Sequence, residues 1–169
     1  LTAQNTRGVF AVEMPSSDFV AAQLHTIFDD IQVAAIKIGM LGTVEMIDTV
    51  ADVLTARYTG PIVLDPVMCA KSGDPLLDDD AIDSMRRRML PLATVLTPNL
   101  PEADALTGGS TSSRKAMEEA VNALIDDHDV AAVLLKGGAL AGDEAPDLLG
   151  VADHREWLEC ARLKTSSVH

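Results

Sequence analysis

The stretch Val63-Leu64-Asp65-Pro66-Val67-Met68 decides how the rest of the chain is read. An apolar run ends abruptly at a carboxylate and a proline. Bounded by Gly60-Pro61 on one side and Asp65-Pro66 on the other, it suits a short strand buried on both faces. Such strands belong to parallel sheets covered by helices. Two later stretches share the layout: Val95-Leu96-Thr97-Pro98-Asn99 and Val133-Leu134-Leu135-Lys136-Gly137-Gly138. In each, apolar residues run into a polar group and a backbone-bending residue. Open α/β sheets bind ligands just outside the carboxyl ends of their strands. Three such exits would set Asp65, Asn99 and Lys136 along one edge. A carboxylate, an amide and an ammonium there suit a magnesium–phosphate site.

The flanking sequence supports a sheet alternating with helices. Thr2 to Gly8 is polar and turn-rich and predicts a loop; Gly8 to Met14 predicts a short strand. Ser16 or Ser17 can cap a helix through Asp30, with Val20, Leu24, Ile27, Phe28 and Ile31 spaced to face the core. Ala34 to Met40 predicts a strand. Thr43 then caps a helix to Tyr58, with Ile47, Val50, Ala51 and Leu54 on one side, and Gly60-Pro61 ends it. Cys69 to Pro75 reads as a loop. Asp78 to Met89 predicts a helix whose Arg86, Arg87 and Arg88 lie near the C-terminus, where the dipole favours cations. After a strand at Leu92 to Leu96, Pro101 suits a first helical turn, with Glu102 and Asp104 at the positive end of the dipole. Gly108-Gly109 stops that helix. Ser112 or Ser113 opens the next, to Asp127, with Met117, Ala120, Val121, Leu124 and Ile125 inward. Val130 to Leu135 predicts a strand, and Asp147 to Val151 with Glu156 to Leu163 a hairpin turning at Asp153-His154. The order predicts an α/β fold: a mostly parallel sheet with helices on both faces, in one domain.

Composition narrows the function classes. The net charge of −13 leaves no basic stripe for phosphodiester backbones, which argues against nucleic acid. No apolar run is long enough to span a bilayer. Cys69 and Cys160 lack metal-ligand spacing, and a reduced, cytoplasmic setting is the default. No GxxxxGK[ST] loop, GxGxxG fingerprint or GxSxG elbow occurs. Phosphate binding survives that absence, because amides at a helix N-terminus supply it in many sequences.

Among individual residues, Asp65 is the first candidate metal ligand and Glu102, on a helix start just after a strand, the second. The competing role for each is a turn or helix cap. Lys136, ahead of two glycines, suits phosphate oxygens; the competing role is a strand-end lysine reaching solvent. Met40 and Val67 fit the core as well as a pocket. The four histidines are scattered without metal spacing.

Taken together, these residues resemble the hydroxymethylpyrimidine/phosphomethylpyrimidine kinases of thiamine biosynthesis, in the ribokinase-like superfamily. The matching pieces are TAQNTRGV (Thr2 to Val9), DFVAAQL (Asp18 to Leu24), KIGML (Lys37 to Leu41), VLDPVM (Val63 to Met68) with AKSGDPLL (Ala70 to Leu77), TPNLPEA (Thr97 to Ala103) and LKGG (Leu135 to Gly138). They keep the family's order along nearly the whole chain.

The resemblance implies transfer of the ATP γ-phosphate to a pyrimidine alcohol and then to its monophosphate. It implies ATP and Mg2+ as cofactors, a small-molecule pyrimidine partner and a homodimer. Position by position, Gln4 resembles the residue that bonds the aminopyrimidine, and Met40 and Val67 resemble walls around its ring. Asp65 and Glu102 resemble acids of the magnesium–phosphate region. Asn99 resembles their nucleotide-side neighbour, and Lys136 the lysine that reaches the nucleotide phosphates. The family's glycine-rich substrate loop would precede Leu1, and its Gly-Thr-Gly-Cys catalytic loop would follow His169. The chain is therefore expected to be one partial domain, truncated at both ends, and inactive alone. A pyridoxal/pyridoxine kinase of the same superfamily, or a non-catalytic pyrimidine- or nucleotide-binding module, is the alternative.

Overall fold

The computed structural model describes residues 1–5, 8–68 and 77–162. The chain opens with a strand where a loop was expected, and it pairs with the strand expected from Gly8. β1 (Thr2–Asn5) pairs antiparallel with β2 (Gly8–Val12) as a separate two-stranded sheet. All four β1 residues are exposed. Neither face of that strand is buried, so no apolar alternation marks it in the sequence.

Helix α1 (Ser17–Asp30) starts at Ser16, whose hydroxyl accepts from the Phe19 amide. Then follow β3 (Ile36–Ile38), α2 (Val44–Arg57) with Thr43 as its cap, and β4 (Ile62–Leu64). The segment predicted as one helix over 78–89 is composite. It comprises α3 (Asp79–Ser84), capped by Asp78, and a wider π turn over Met85–Met89. A 3-10 turn at Leu90–Leu92, with Pro91 in its first positions, occupies the start of the predicted next strand. That leaves β5 only Val95–Leu96. α4 (Leu100–Thr107), α5 (Arg114–Asp126, capped by Ser113), β6 (Ala132–Leu135), β7 (Asp147–Val151) and β8 (His154–Leu158) complete the chain. The β7–β8 turn falls at Ala152-Asp153, where Ala152 has φ 45°, so β8 starts two residues earlier than expected. The expected loop over Cys69 to Pro75 lies outside the described residues.

The main sheet has the order β3-β4-β5-β6-β7-β8. β3 to β6 are parallel, and β7 and β8 are antiparallel additions. Because the parallel strands advance in one direction, right-handed crossovers place their connecting helices on one face. The packing agrees: α1 lies against α2, α2 against α3 and the π turn, and α4 against α5. The Arg86 guanidinium bridges this layer by donating to the Leu106 and Ala105 carbonyls at the end of α4.

Burial alternates accordingly. Ile38, Leu64, Leu96 and Val133 pair across neighbouring strands and are buried beneath the helices. Val63, Val95, Leu134 and Leu149 face the other way and are only half-buried. The expected helical layer is thus present on one face among the described residues. Leu64 has no exposed surface. Cutting it to alanine removes contacts on all sides and costs about 2–5 kcal/mol.

Helix α1 departs from its predicted burial. Val20, Leu24 and Phe28 are half-buried, and Phe28 stacks on Tyr58 with ring centroids 5.9 Å apart. Ile27 and Ile31 were expected inward but are 45% and 56% exposed. The helix ends the row with α2 on one side, so among the described residues Ile27 and Ile31 are left partly uncovered. No helix among the described residues is long and apolar enough to cross a membrane.

Candidate functional site

The parallel strands deliver their polar exits to one rim. Asp65 extends β4: its amide donates to the Ile38 carbonyl at 2.8 Å. Pro66 then stops the strand, and the Val67 amide turns back onto the Asp65 carbonyl at 2.8 Å. Lys136 extends β6 in the same way. Its amide donates to the Pro98 carbonyl at 2.8 Å and forms a parallel bridge with Asn99. Backbone bonds therefore fix both side chains where their strands end.

The charged groups meet there. The Lys136 ammonium donates to Asp65 Oδ1 at 3.0 Å. On the other side of the carboxylate, Lys37 Nζ is 3.7 Å from Oδ2. Each carboxylate oxygen thus has its own ammonium. The Asp65 side chain keeps 25% of its surface exposed, so its oxygens can still be reached.

Asn99 and Glu102 lie beside this pair at the start of α4. Asn99 caps α4, its Oδ1 accepting from the Glu102 amide at 2.9 Å. Glu102 reciprocates, accepting from the Asn99 amide at 2.8 Å. This capping box satisfies two helix-end donors at once. Glu102 is buried, and burial raises its carboxyl above the ordinary value of 4.5. The Asn99 amide and the Lys136 charge oppose that shift, Asp65 adds to it, and the Met68 amide opposes it.

Gly137 allows Lys136 its place. A Cβ there would lie 1.8 Å from the Pro146 carbonyl oxygen, so only glycine lets the two backbones approach. The Gly137 amide donates to Asp147 Oδ1 at 2.9 Å, which ties β6 to the start of β7.

Asp65, Asn99, Glu102 and Lys136, separated widely in sequence, are therefore neighbours. The pyrimidine-side residues are more spread out. Met40 lines an apolar cavity of about 340 Å³ with Met14, Val20, Leu41 and Met46. Thr2 of β1 also lines it, and Gln4, two residues on, is exposed on the same strand. Val67 is half-buried beside the Asp65 turn. The catalytic position expected just after His169 adjoins 163–169, which lie outside the described residues. Sequence reasoning gave Lys37 no role, although it is the second cation on Asp65. A lysine between two isoleucines in a short strand was the available signal.

The donor set suits a hydrated cation better than an all-protein cage. Among the described residues no three His, Cys, Asp or Glu side chains converge on one metal position. One reachable carboxylate could hold an ion that keeps its waters, as magnesium does, whereas the two ammoniums beside it suit phosphate oxygens rather than the ion.

Comparisons with known proteins identify the family and the fold. The family model for phosphomethylpyrimidine kinase matches residues 1–169. The hydroxymethylpyrimidine/phosphomethylpyrimidine kinase of Escherichia coli is 40% identical over 171 residues, covering 100% of this chain and 64% of the relative. The chain thus spans just under two thirds of that relative's length. The crystal structure of phosphomethylpyrimidine kinase from Clostridium difficile superposes with a TM-score of 0.83 at 36% identity, covering 92% of this chain and 67% of that one. A pyridoxal kinase from Staphylococcus aureus, solved with AMP-PCP, gives a TM-score of 0.81 at 34% identity, over 94% of this chain and 56% of that one. Matched along its whole length, the chain belongs to the phosphomethylpyrimidine kinase family.

Proposed function

We propose that the intact protein carrying this chain transfers the γ-phosphoryl group of ATP to a hydroxymethylpyrimidine and then to the resulting monophosphate. The observation that carries this is the Asp65 carboxylate at a strand rim, flanked by the ammonium groups of Lys136 and Lys37. In the transfer, the acceptor oxygen bonds to the γ-phosphorus as the bond to the bridging oxygen of ADP breaks, and the acceptor proton is released. Such chemistry depends on positioning and on offsetting charge.

Each residue has a distinct part. Asp65 would hold Mg2+, which would supply positive charge to offset the charge that develops on the transferred phosphoryl group. Glu102, engaged by backbone amides, would sit behind it and fix the start of α4. Lys136 would leave Asp65 Oδ1 for a nucleotide phosphate oxygen, with Asn99 holding the adjoining strand exit. Met40 and Val67 would wall the pyrimidine ring, and Gln4 would bond its polar edge. A homodimer and a cytoplasmic setting belong to the same proposal.

Likeness to the Staphylococcus aureus pyridoxal kinase gives a second reading, phosphorylation of a pyridine alcohol. A side-by-side assay of the intact protein with Mg-ATP separates them. Hydroxymethylpyrimidine and its monophosphate should be turned over with kcat/KM at least about tenfold above pyridoxal. Faster turnover of pyridoxal would overturn the assignment.

A further inference from the structure

Two lysines approach Asp65 from opposite sides, and they are not equivalent. Lys136 makes a hydrogen bond at 3.0 Å, whereas Lys37, at 3.7 Å, makes an ion pair only. The Lys37 side chain is 67% exposed, so its ammonium has donors to spare. Lys37 also stands in mid-strand on the sheet face away from the helices, in register with Val63. Its stem crosses that apolar surface and its charge emerges at the rim beside Asp65.

Position separates the two further. Lys136 ends β6, three strands away from β3 in the sheet order. Lys37 belongs to β3, and the chain just beyond it supplies Met40 and Leu41 to the apolar cavity of about 340 Å³. In strand order, the β3 exit that leads to Met40 and Leu41 of that cavity lies on the Lys37 side of Asp65, and the β5 and β6 exits lie on the Lys136 side. A divalent cation held by Asp65 would repel both ammoniums, and each would then favour a separate anion. Two phosphoryl groups, one on the nucleotide and one on the acceptor, would satisfy both.

We infer that Lys37 is a specificity-determining residue that binds the phosphate of a phosphorylated acceptor, while Lys136 serves the nucleotide. This rests on the two-step transfer proposed above. It assigns the second step, in which the acceptor is already an anion, a contact that the first step lacks.

The test compares Lys37→Met and Lys37→Arg with wild type in the intact protein, using the pyrimidine alcohol and its monophosphate as acceptors. Lys37→Met should lower kcat/KM for the monophosphate about 10- to 100-fold more than for the alcohol, as loss of a charge-assisted hydrogen bond would. Lys37→Arg, which keeps the charge, should restore most of the difference. Calorimetric titration with the monophosphate and no ATP reads the same contact without turnover, and should show binding about tenfold weaker in Lys37→Met. Equal losses for both acceptors, or unchanged monophosphate binding, would overturn the assignment and leave Lys37 only offsetting the Asp65 charge. If wild type phosphorylates neither acceptor, the proposed function fails, and the titration alone decides the role of Lys37.

Discussion

The Lys136 ammonium lies 3.0 Å from Asp65 Oδ1, although 71 positions separate the two residues in the chain. Two parallel strands create the contact. β4 and β6 both run toward the same edge with β5 between them, and each releases a charged residue as its pairing ends. The pair therefore depends on the backbone around it, which gives the site several points of failure that can be measured.

The first is Gly137. Adding a methyl group there requires the β6 exit and Pro146 to separate, since the added carbon would meet a carbonyl oxygen rather than a yielding side chain. Gly137→Ala should lower stability in urea by about 2 kcal/mol. Gly138, where a Cβ meets nothing within 4 Å, is the matched control. Gly138→Ala should stay within about 0.5 kcal/mol of wild type. Equal effects of the two substitutions would mean that the close approach is not a constraint.

The second is the capping box. Asn99→Ala removes the acceptor for the Glu102 amide and should cost about 1 kcal/mol, while Asn99→Ser should recover most of it. Urea unfolding of the three proteins reads this directly. An Asn99→Ala variant as stable as wild type would show that α4 starts without its cap.

Glu102 predicts a pH dependence. Its carboxyl is raised in the folded protein, so the folded state holds that proton more tightly than the unfolded chain does. Above the ordinary value of 4.5 the folded state then binds more protons than the unfolded one, and stability falls as pH rises through the raised value. Glu102→Gln cannot ionise and should lack this decline. With a chelator present, the stability difference, wild type minus Glu102→Gln, should shrink or change sign as pH increases from about 4.5 toward neutrality. A difference that stays constant with pH would contradict the burial effect.

Much of this was legible in residue order. Ser16, Thr43 and Ser113 cap helices where a small polar residue precedes an apolar period. The exits at Asp65, Asn99 and Lys136 follow from apolar runs that stop at polar residues, because a parallel sheet aligns such stops on one edge.

The rest depends on tertiary partners. β1 pairs with β2 through backbone groups and all its side chains are exposed, so apolar patterning carries no trace of it, whereas β2 falls within the strand expected from Gly8. Ile27 and Ile31 keep helical spacing, but α1 ends the helical row, and among the described residues both stay about half exposed. The Gly137–Pro146 approach depends on how β6 and β7 register, which neither strand specifies alone. An exposed lysine in a three-residue strand reads as a solvated charge until β4 puts Asp65 beside it.

The most direct test of the rim as a metal–phosphate site is steady-state kinetics of Asp65→Asn in the intact protein with Mg-ATP. Asparagine keeps the shape but loses the charge that would hold the ion and orders both lysines. In Asp65→Asn, kcat should fall at least about 100-fold while KM for the pyrimidine changes less than about threefold. An unchanged kcat, or a loss confined to KM, would contradict it.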